Sequence, residues 1–194
     1  MELRSHADKD ARPGNNSDNK RPLLKVHNLG VRFSRENGTT PAVRGLSYQL
    51  GHSRTLGVVG ESGCGKTVSA LAILGLIDPP GEIYTGEVWF EGRELCSLTQ
   101  SELAGLRGTR IAMVFQEPMT ALNPVYTVGD QISEVTMFHQ NLSRAAAQSR
   151  TIELLDLVQF PSPSKRAHDY PHQLSGGLRQ RAMIAIALAG EPTL

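Results

Sequence analysis

The chain has 194 residues, 39% hydrophobic and 20% charged, which suits one domain with a sizeable core, or one domain carrying an inserted subdomain. A formal net charge of +1 leaves no basic excess for neutralising a phosphodiester backbone and speaks against nucleic acid as the main partner. The two cysteines, Cys64 and Cys96, lack metal-site spacing, no apolar run reaches the length of a membrane span, and no signal peptide is evident. The chain therefore reads as cytosolic, with any membrane link made through a partner.

Residues 1–21 form a polar tail of mixed charges with almost no large apolar side chains, a composition expected to stay disordered. Order is expected from Leu23. The stretch "LLKVHNLGVRF" alternates as a strand, "RENGTTP" reads as a turn and "AVRGLSYQL" as a second strand. "TLGVVG" is a short apolar run suited to a buried parallel strand. After a glycine-rich loop, "TVSALAILGLI" reads as a helix ended by Asp78-Pro79-Pro80-Gly81. "GEVWFEG" reads as a strand, "TQSELAGLRG" as a short helix and "RIAMVFQ" as another buried strand. Beyond Gln116 the texture turns helical. "TVGDQISEVTMFHQ" and "SRAAAQSRTIELLDLVQF" are predicted helices, the second opening at Ser143 as an N-cap. "PSPSKRAHDYPHQ" is loop with about one helical turn. The organisation expected is a nucleotide-binding α/β core over 22–116, a helical subdomain over 117–173, and a last turn and helix over 174–194.

The glycine-rich loop carries the first chemistry. Gly60, Glu61, Ser62, Gly63, Cys64, Gly65, Lys66 and Thr67 fit G-x-x-x-x-G-K-[ST] between an apolar strand and a helix, the context this phosphate loop requires. Glycines let successive backbone N–H groups converge on an anion, and the following helix turns its positive end to it. Lys66 is placed to reach the β- and γ-phosphates of ATP, and Thr67 to give its hydroxyl to Mg²⁺. Cys64 admits two readings: a small side chain in a permissive slot, or a thiol activated by the helix N-terminus.

Three further stretches narrow the family. "GVVGESGCGKT", "VFQEPMTALNP" and "YPHQLSGGLRQR" together resemble the ATP-binding subunits of ATP-binding-cassette (ABC) transporters. Within them they resemble the oligopeptide/dipeptide branch, which includes nickel importers. The resemblance covers residues 23–194. It departs from the family's usual pattern at Leu178, where glutamine is common. It implies a P-loop NTPase core with a mostly parallel sheet, N-terminal antiparallel β strands and a helical subdomain.

By position, the resemblance makes Phe33 an aromatic that stacks on adenine, a contact worth about 1–3 kcal/mol, although an aromatic in a strand also serves as core. It makes Gln116 the glutamine that contacts Mg²⁺ or the attacking water. Ser175, Gly176 and Gly177 become a second anion site, facing the γ-phosphate of ATP held by another subunit. Arg179 and Arg181 read as exposed helix-start charges without a catalytic role, and His172 as structural.

The same resemblance places an adjacent Asp-Glu pair at the end of a buried strand after the last helix, and this sequence has none. Glu191-Pro192-Thr193 stands at the helix-to-strand turn, with the strand expected to start at Leu194. The chain is therefore expected to be the first part of a longer cassette that binds ATP weakly and hydrolyses it negligibly by itself.

The function implied is the ATP-binding subunit that energises import of peptides or related small solutes, with ATP and Mg²⁺. The implied partners are a second cassette (identical or related), membrane permease subunits and, indirectly, an extracytoplasmic solute-binding protein. The implied location is the cytoplasmic face of the membrane, held peripherally through the permease. A soluble ABC ATPase of the translation or DNA-repair type is the alternative.

Overall fold

The computed structural model describes residues 21–35, 38–116 and 121–194. The polar tail up to residue 20, the tip of the expected "RENGTTP" turn at 36–37 and the loop at 117–120 lie outside them. The chain divides into two compact units after Leu103.

The first unit is built on one antiparallel sheet of four strands in the order β2-β1-β3-β4: β1 Leu24–Arg35, β2 Gly38–Leu50, β3 Gly81–Phe90 and β4 Arg93–Glu94. Both expected N-terminal strands form and are longer than their hydrophobic patterns. Thr39, Thr40 and Pro41, expected in a turn, pair with Ser34, Phe33 and Arg32. Alternation puts Val26, Leu29, Val31, Val88 and Phe90 inside, all at most 2% exposed. Helix α1, Lys66–Ile73, follows the glycine loop. It is shorter than "TVSALAILGLI" suggests because Gly75 takes φ +62. Leu76 N then donates to Leu71 O at 2.9 Å and Gly75 N to Ala72 O at 3.1 Å, the paired bonds that close a helix at a left-handed residue. At the end of the unit, α2 (Gln100–Leu106) opens with a reciprocal cap. Thr99 N donates to Glu102 Oε2 at 2.9 Å and Glu102 N to Thr99 Oγ1 at 3.3 Å.

The second unit is helical: α3 Val128–Gln140, α4 Arg144–Leu157, a single turn α5 Pro163–Arg166, a 3₁₀ turn Pro171–Gln173, and α6 Gly176–Ala189. Ser143 caps α4 as its sequence predicts, its hydroxyl accepting from Ala146 N at 3.3 Å. Ile132, Leu154, Leu155, Ala182 and Ala185 fill the core, each at most 1% exposed. One polar contact crosses it: Ser133 Oγ lies 2.8 Å from Thr151 Oγ1, whose hydroxyl donates to Ala147 O.

Two expected strands do not ladder. Neither "TLGVVG" nor "RIAMVFQ" is a strand among the described residues, and Val58, Val59, Val114 and Phe115 are exposed by 40–77%. A parallel strand is stable when it is paired with neighbours and covered on both faces, and among the described residues neither run pairs continuously. Isolated contacts of the parallel kind gather at Ile111, which bridges Arg107. Leu194 N donates to Arg110 O at 3.0 Å and Ala112 N donates back to Leu194 O at 2.8 Å, the parallel pattern. Leu194 thus lies in parallel register beside Ile111. The chain closes on a tight crossing just before this point, where Gly190 packs against the carbonyl of Gly108.

Candidate functional site

The phosphate loop lies in the first unit, between residue 60 and the start of α1. Gly63 and Gly65 take φ +79 and +93, values an L side chain rarely adopts, and Gly65 sits directly against the Ala42 carbonyl of β2, leaving no room for a Cβ. These two residues turn the chain so that α1 begins abruptly at Lys66. No side chain caps that helix and no acidic residue stands in its first turn, so its first N–H groups face outward for an anion.

Lys66 is held over its own loop. Its Nζ donates to Gly60 O at 2.7 Å and Glu61 O at 2.8 Å, and lies 3.5 Å from Cys64 Sγ. The long side chain is thereby pre-positioned across the concave face of the loop, where a phosphate would meet a fixed positive charge. Thr67 is exposed in the first turn of α1, with its hydroxyl accessible to a hydrated divalent cation. Among the described residues no group of three or more His, Cys, Asp or Glu side chains gathers around a metal position. A magnesium ion here would rest on the hydroxyl and on phosphate oxygens, as that ion commonly does.

Phe33 is half-buried in β1, paired with Thr40 and Gly81. Its ring edge packs so closely over Gly81 that a larger residue there would displace it. The structure thus gives this side chain a packing role within the sheet. Thr40 is two residues from Ala42, the contact of Gly65, so β2 ties the aromatic to the phosphate loop within one unit.

The other site residues belong to the second unit. Gln116 is exposed at the end of the "RIAMVFQ" run. Ser175 caps α6, its Oγ accepting from Leu178 N at 3.4 Å, and Gly176 and Gly177 are exposed with nothing within 4 Å of where a Cβ would stand. A hydroxyl, two open backbone positions and the N-terminus of a 14-residue helix meet at this exposed turn, the kind of groups that an anion attracts. His172 stacks on Tyr170 with ring centroids 5.7 Å apart. Glu191 is turned to Arg150, Oε1 to Nη2 at 3.2 Å.

The sequence reading of Arg179 as an exposed charge is corrected. Arg179 is half-buried, and its Nη1 donates to Pro171 O at 3.5 Å. Arg181 is exposed, as expected, and bonds the Gln159 carbonyl. Gln131 was also illegible. From α3 it accepts from Asn123 N at 2.9 Å and donates to Asn123 O at 3.0 Å and Tyr126 O at 3.1 Å, bracing the loop after the 117–120 segment. Both residues reach back eight positions or fewer from a helix to a loop. No periodicity or motif marks such a contact.

The two cysteines differ. Partial desolvation, and after it the neighbouring Glu94 carboxylate, push the Cys96 thiol up to about 11. At pH 8 its thiolate is therefore scarce. Alkylation of Cys64 is expected to block nucleotide binding, and ATP is expected to slow the labelling. Full nucleotide affinity after stoichiometric modification at Cys64, located by mass spectrometry, would sink the placement of phosphate over this loop.

Residues 43–194 match the family described as "ABC transporter". The chain is 46% identical over 173 residues to the dipeptide transport ATP-binding protein DppD of Bacillus subtilis, covering 89% of this chain and 52% of that protein. It is 47% identical over 173 residues to the oligopeptide transport ATP-binding protein OppD of the same organism, covering 89% and 48%. The chain thus spans about half the length of the curated relatives it matches. Among solved structures, the ATP-binding cassette MJ0796, described as a dimer in a post-hydrolysis state bound to ADP and Pi, matches with a TM-score of 0.77 and 27% identity. That match covers 88% of this chain and 71% of that one. A phosphate loop with its lysine in place, an N-terminal antiparallel sheet, a helical unit opening its last helix at Ser-Gly-Gly, and a family match over residues 43–194 agree: the chain belongs to the ABC transporter family.

Proposed function

We propose that this chain is the nucleotide-binding part of an ATPase subunit that energises import of peptides or related small solutes across a membrane. The observation that carries the reading is Lys66, whose ammonium is fixed by the Gly60 and Glu61 carbonyls at the N-terminus of an uncapped helix. That arrangement has one evident use, to receive the phosphates of ATP. Magnesium, when bound, neutralises charge on the β- and γ-phosphates. Thr67 would hold it through its hydroxyl and Phe33 would offer a face to the base, and to Gln116 we assign, on the family resemblance alone, the contact with the attacking water or the ion.

Residues 175–177 form a second anion site on a chain with one phosphate loop. Its use is in a pair of cassettes, where it faces the γ-phosphate on the partner subunit. The dimer described for MJ0796 supports such pairing. No helix among the described residues is long and apolar enough to cross a membrane. On the transport roles of the relatives, attachment is assigned to a permease, with the loop following Gln116 and the helical unit as the contact face and the cytoplasmic side as the location. A solute-binding protein outside the membrane would deliver the cargo. The transport functions of the relatives favour peptides and give no support to a soluble translation or repair role.

The test is peptide uptake in cells deleted for the full-length protein. Uptake of a labelled dipeptide or oligopeptide is expected to return with the wild-type gene and not with Lys66→Ala. Restoration by both genes, or co-purification of the protein with ribosomes in place of a membrane permease, would reject the assignment.

A further inference from the structure

We propose that Arg179 is a positioning residue that sets the direction of the anion-binding turn at residues 175–177. The inference rests on reading that turn as a nucleotide half-site.

Little else ties the turn to the chain before it. Gly176 and Gly177 have no neighbour at the Cβ position, so side-chain packing does not hold them, and the bonds of Ser175, its Oγ from Leu178 N at 3.4 Å and its O from Arg179 N at 3.0 Å, stay within the turn and the start of α6. What precedes the turn is rigid. Pro171 and Leu174 are buried. Gln173 N donates to Tyr170 O at 2.9 Å, Leu174 N to Pro171 O at 3.2 Å, and Gln173 Oε1 accepts from Tyr170 N at 2.7 Å. Arg179, one turn inside α6, reaches back to this block through Nη1 and Pro171 O at 3.5 Å. The start of the helix is thereby tied to the turn before it, across the two glycines.

The tie is made at a disadvantage. A cation near a helix N-terminus opposes the helix dipole. Arg179 Nε is the one buried side-chain nitrogen or oxygen without a hydrogen-bond partner among the described residues. The guanidinium is planar, so directing Nη1 at Pro171 O leaves Nε no freedom to find an acceptor of its own. A buried orphan donor in a native structure calls for an explanation. Here it is the consequence of a rigid fork spanning the anion site.

The experiment compares Arg179→Met, Arg179→Lys and Ser175→Ala in the full-length subunit assembled with its partner cassette, measuring ATP turnover per bound nucleotide, ATP affinity and melting temperature. Arg179→Met removes both the tie and the orphan donor. It is expected to melt at or above the wild-type temperature, to keep its ATP affinity, and to turn over about tenfold more slowly. Arg179→Lys, which can reach Pro171 O with a single flexible head, is expected to fall between the two. Turnover of Arg179→Met within about twofold of wild type, or lost only in step with melting temperature, overturns the proposal. If Arg179→Met does not fold, Arg179→Lys decides: a slower turnover at unchanged melting temperature supports the tie, and an unchanged turnover overturns it. Ser175→Ala separates the two readings. Full turnover in that variant overturns the half-site itself, whereas loss there with none at Arg179 overturns only the positioning role.

Discussion

Replacing Lys66 with alanine is expected to weaken ATP binding by about 10- to 150-fold, the loss that follows from removing a charge-assisted contact of about 1.5–3 kcal/mol. Its Nζ lies 2.7 and 2.8 Å from the Gly60 and Glu61 carbonyls. The ammonium is thus already ordered before a phosphate arrives, and little of the contact is lost to side-chain entropy. The fold should tolerate the change. Both carbonyls belong to exposed residues and return to water, and α1 begins with a residue of higher helix propensity. Titration of Mg-ATP into both proteins at equal salt checks this. An affinity within about threefold of wild type, with the melting temperature unchanged, would remove Lys66 from the phosphate site and with it the main support for the nucleotide assignment.

The second large effect is on stability. Gly190→Ala is expected to destabilise the helical unit by about 3 kcal/mol or more, at the upper end of what overpacking costs. The backbone torsion is ordinary, φ −82, so strain in the residue itself is not the cause. The added Cβ would fall on the backbone oxygen of Gly108, with its carbonyl carbon also in contact. Neither chain can move aside cheaply. Gln140 Nε2 donates to Ala189 O at 2.8 Å, Glu191 N donates to Leu188 O at 3.0 Å, and Thr193 N donates to Arg110 O at 2.9 Å. Gly177→Ala is the control, since a methyl there meets nothing within 4 Å. It should leave stability unchanged or raise it through helix propensity, while obstructing the approach of an anion to the backbone. Urea melts of the three proteins test the pair. A Gly190→Ala cost under about 1 kcal/mol, similar to Gly177→Ala, would mean that the crossing relaxes freely.

Glycine thus serves two ends in this chain, and the sequence separates them only in part. The phosphate loop is readable because its chemistry is local: eight consecutive residues, a strand-like run before and a helix after. The same holds for Ser175-Gly176-Gly177 and for the cap at Ser143, where a side chain bonds a backbone group three residues away. Gly190 carries no such mark. Its need for a hydrogen side chain comes from a carbonyl 82 positions earlier in the chain, and a pattern read along the sequence does not register a contact of that kind.

The two runs expected as buried parallel strands show the opposite case. "TLGVVG" and "RIAMVFQ" have the apolar, β-branched composition of such strands. A strand is not a property of its own residues, however. It exists when a neighbour accepts and donates its backbone hydrogen bonds. Beside Ile111 neighbours are present, Arg107 and Leu194, and isolated rungs form there. Along Val114 and Phe115, and along Val58 and Val59, no strand pairing forms among the described residues and the side chains stand exposed.

By itself the sequence determined the family, the phosphate loop, the antiparallel start of the fold, the helical second unit and the residues at which its helices begin. Each rests on periodicity or on bonds spanning a few residues. The tertiary structure decided where Lys66 rests, which turn Arg179 holds, that Gln131 braces residues 123–127, and that Gly190 admits no side chain. Those features depend on groups brought together from distant or aperiodic positions, whose meeting is fixed only once the chain has packed.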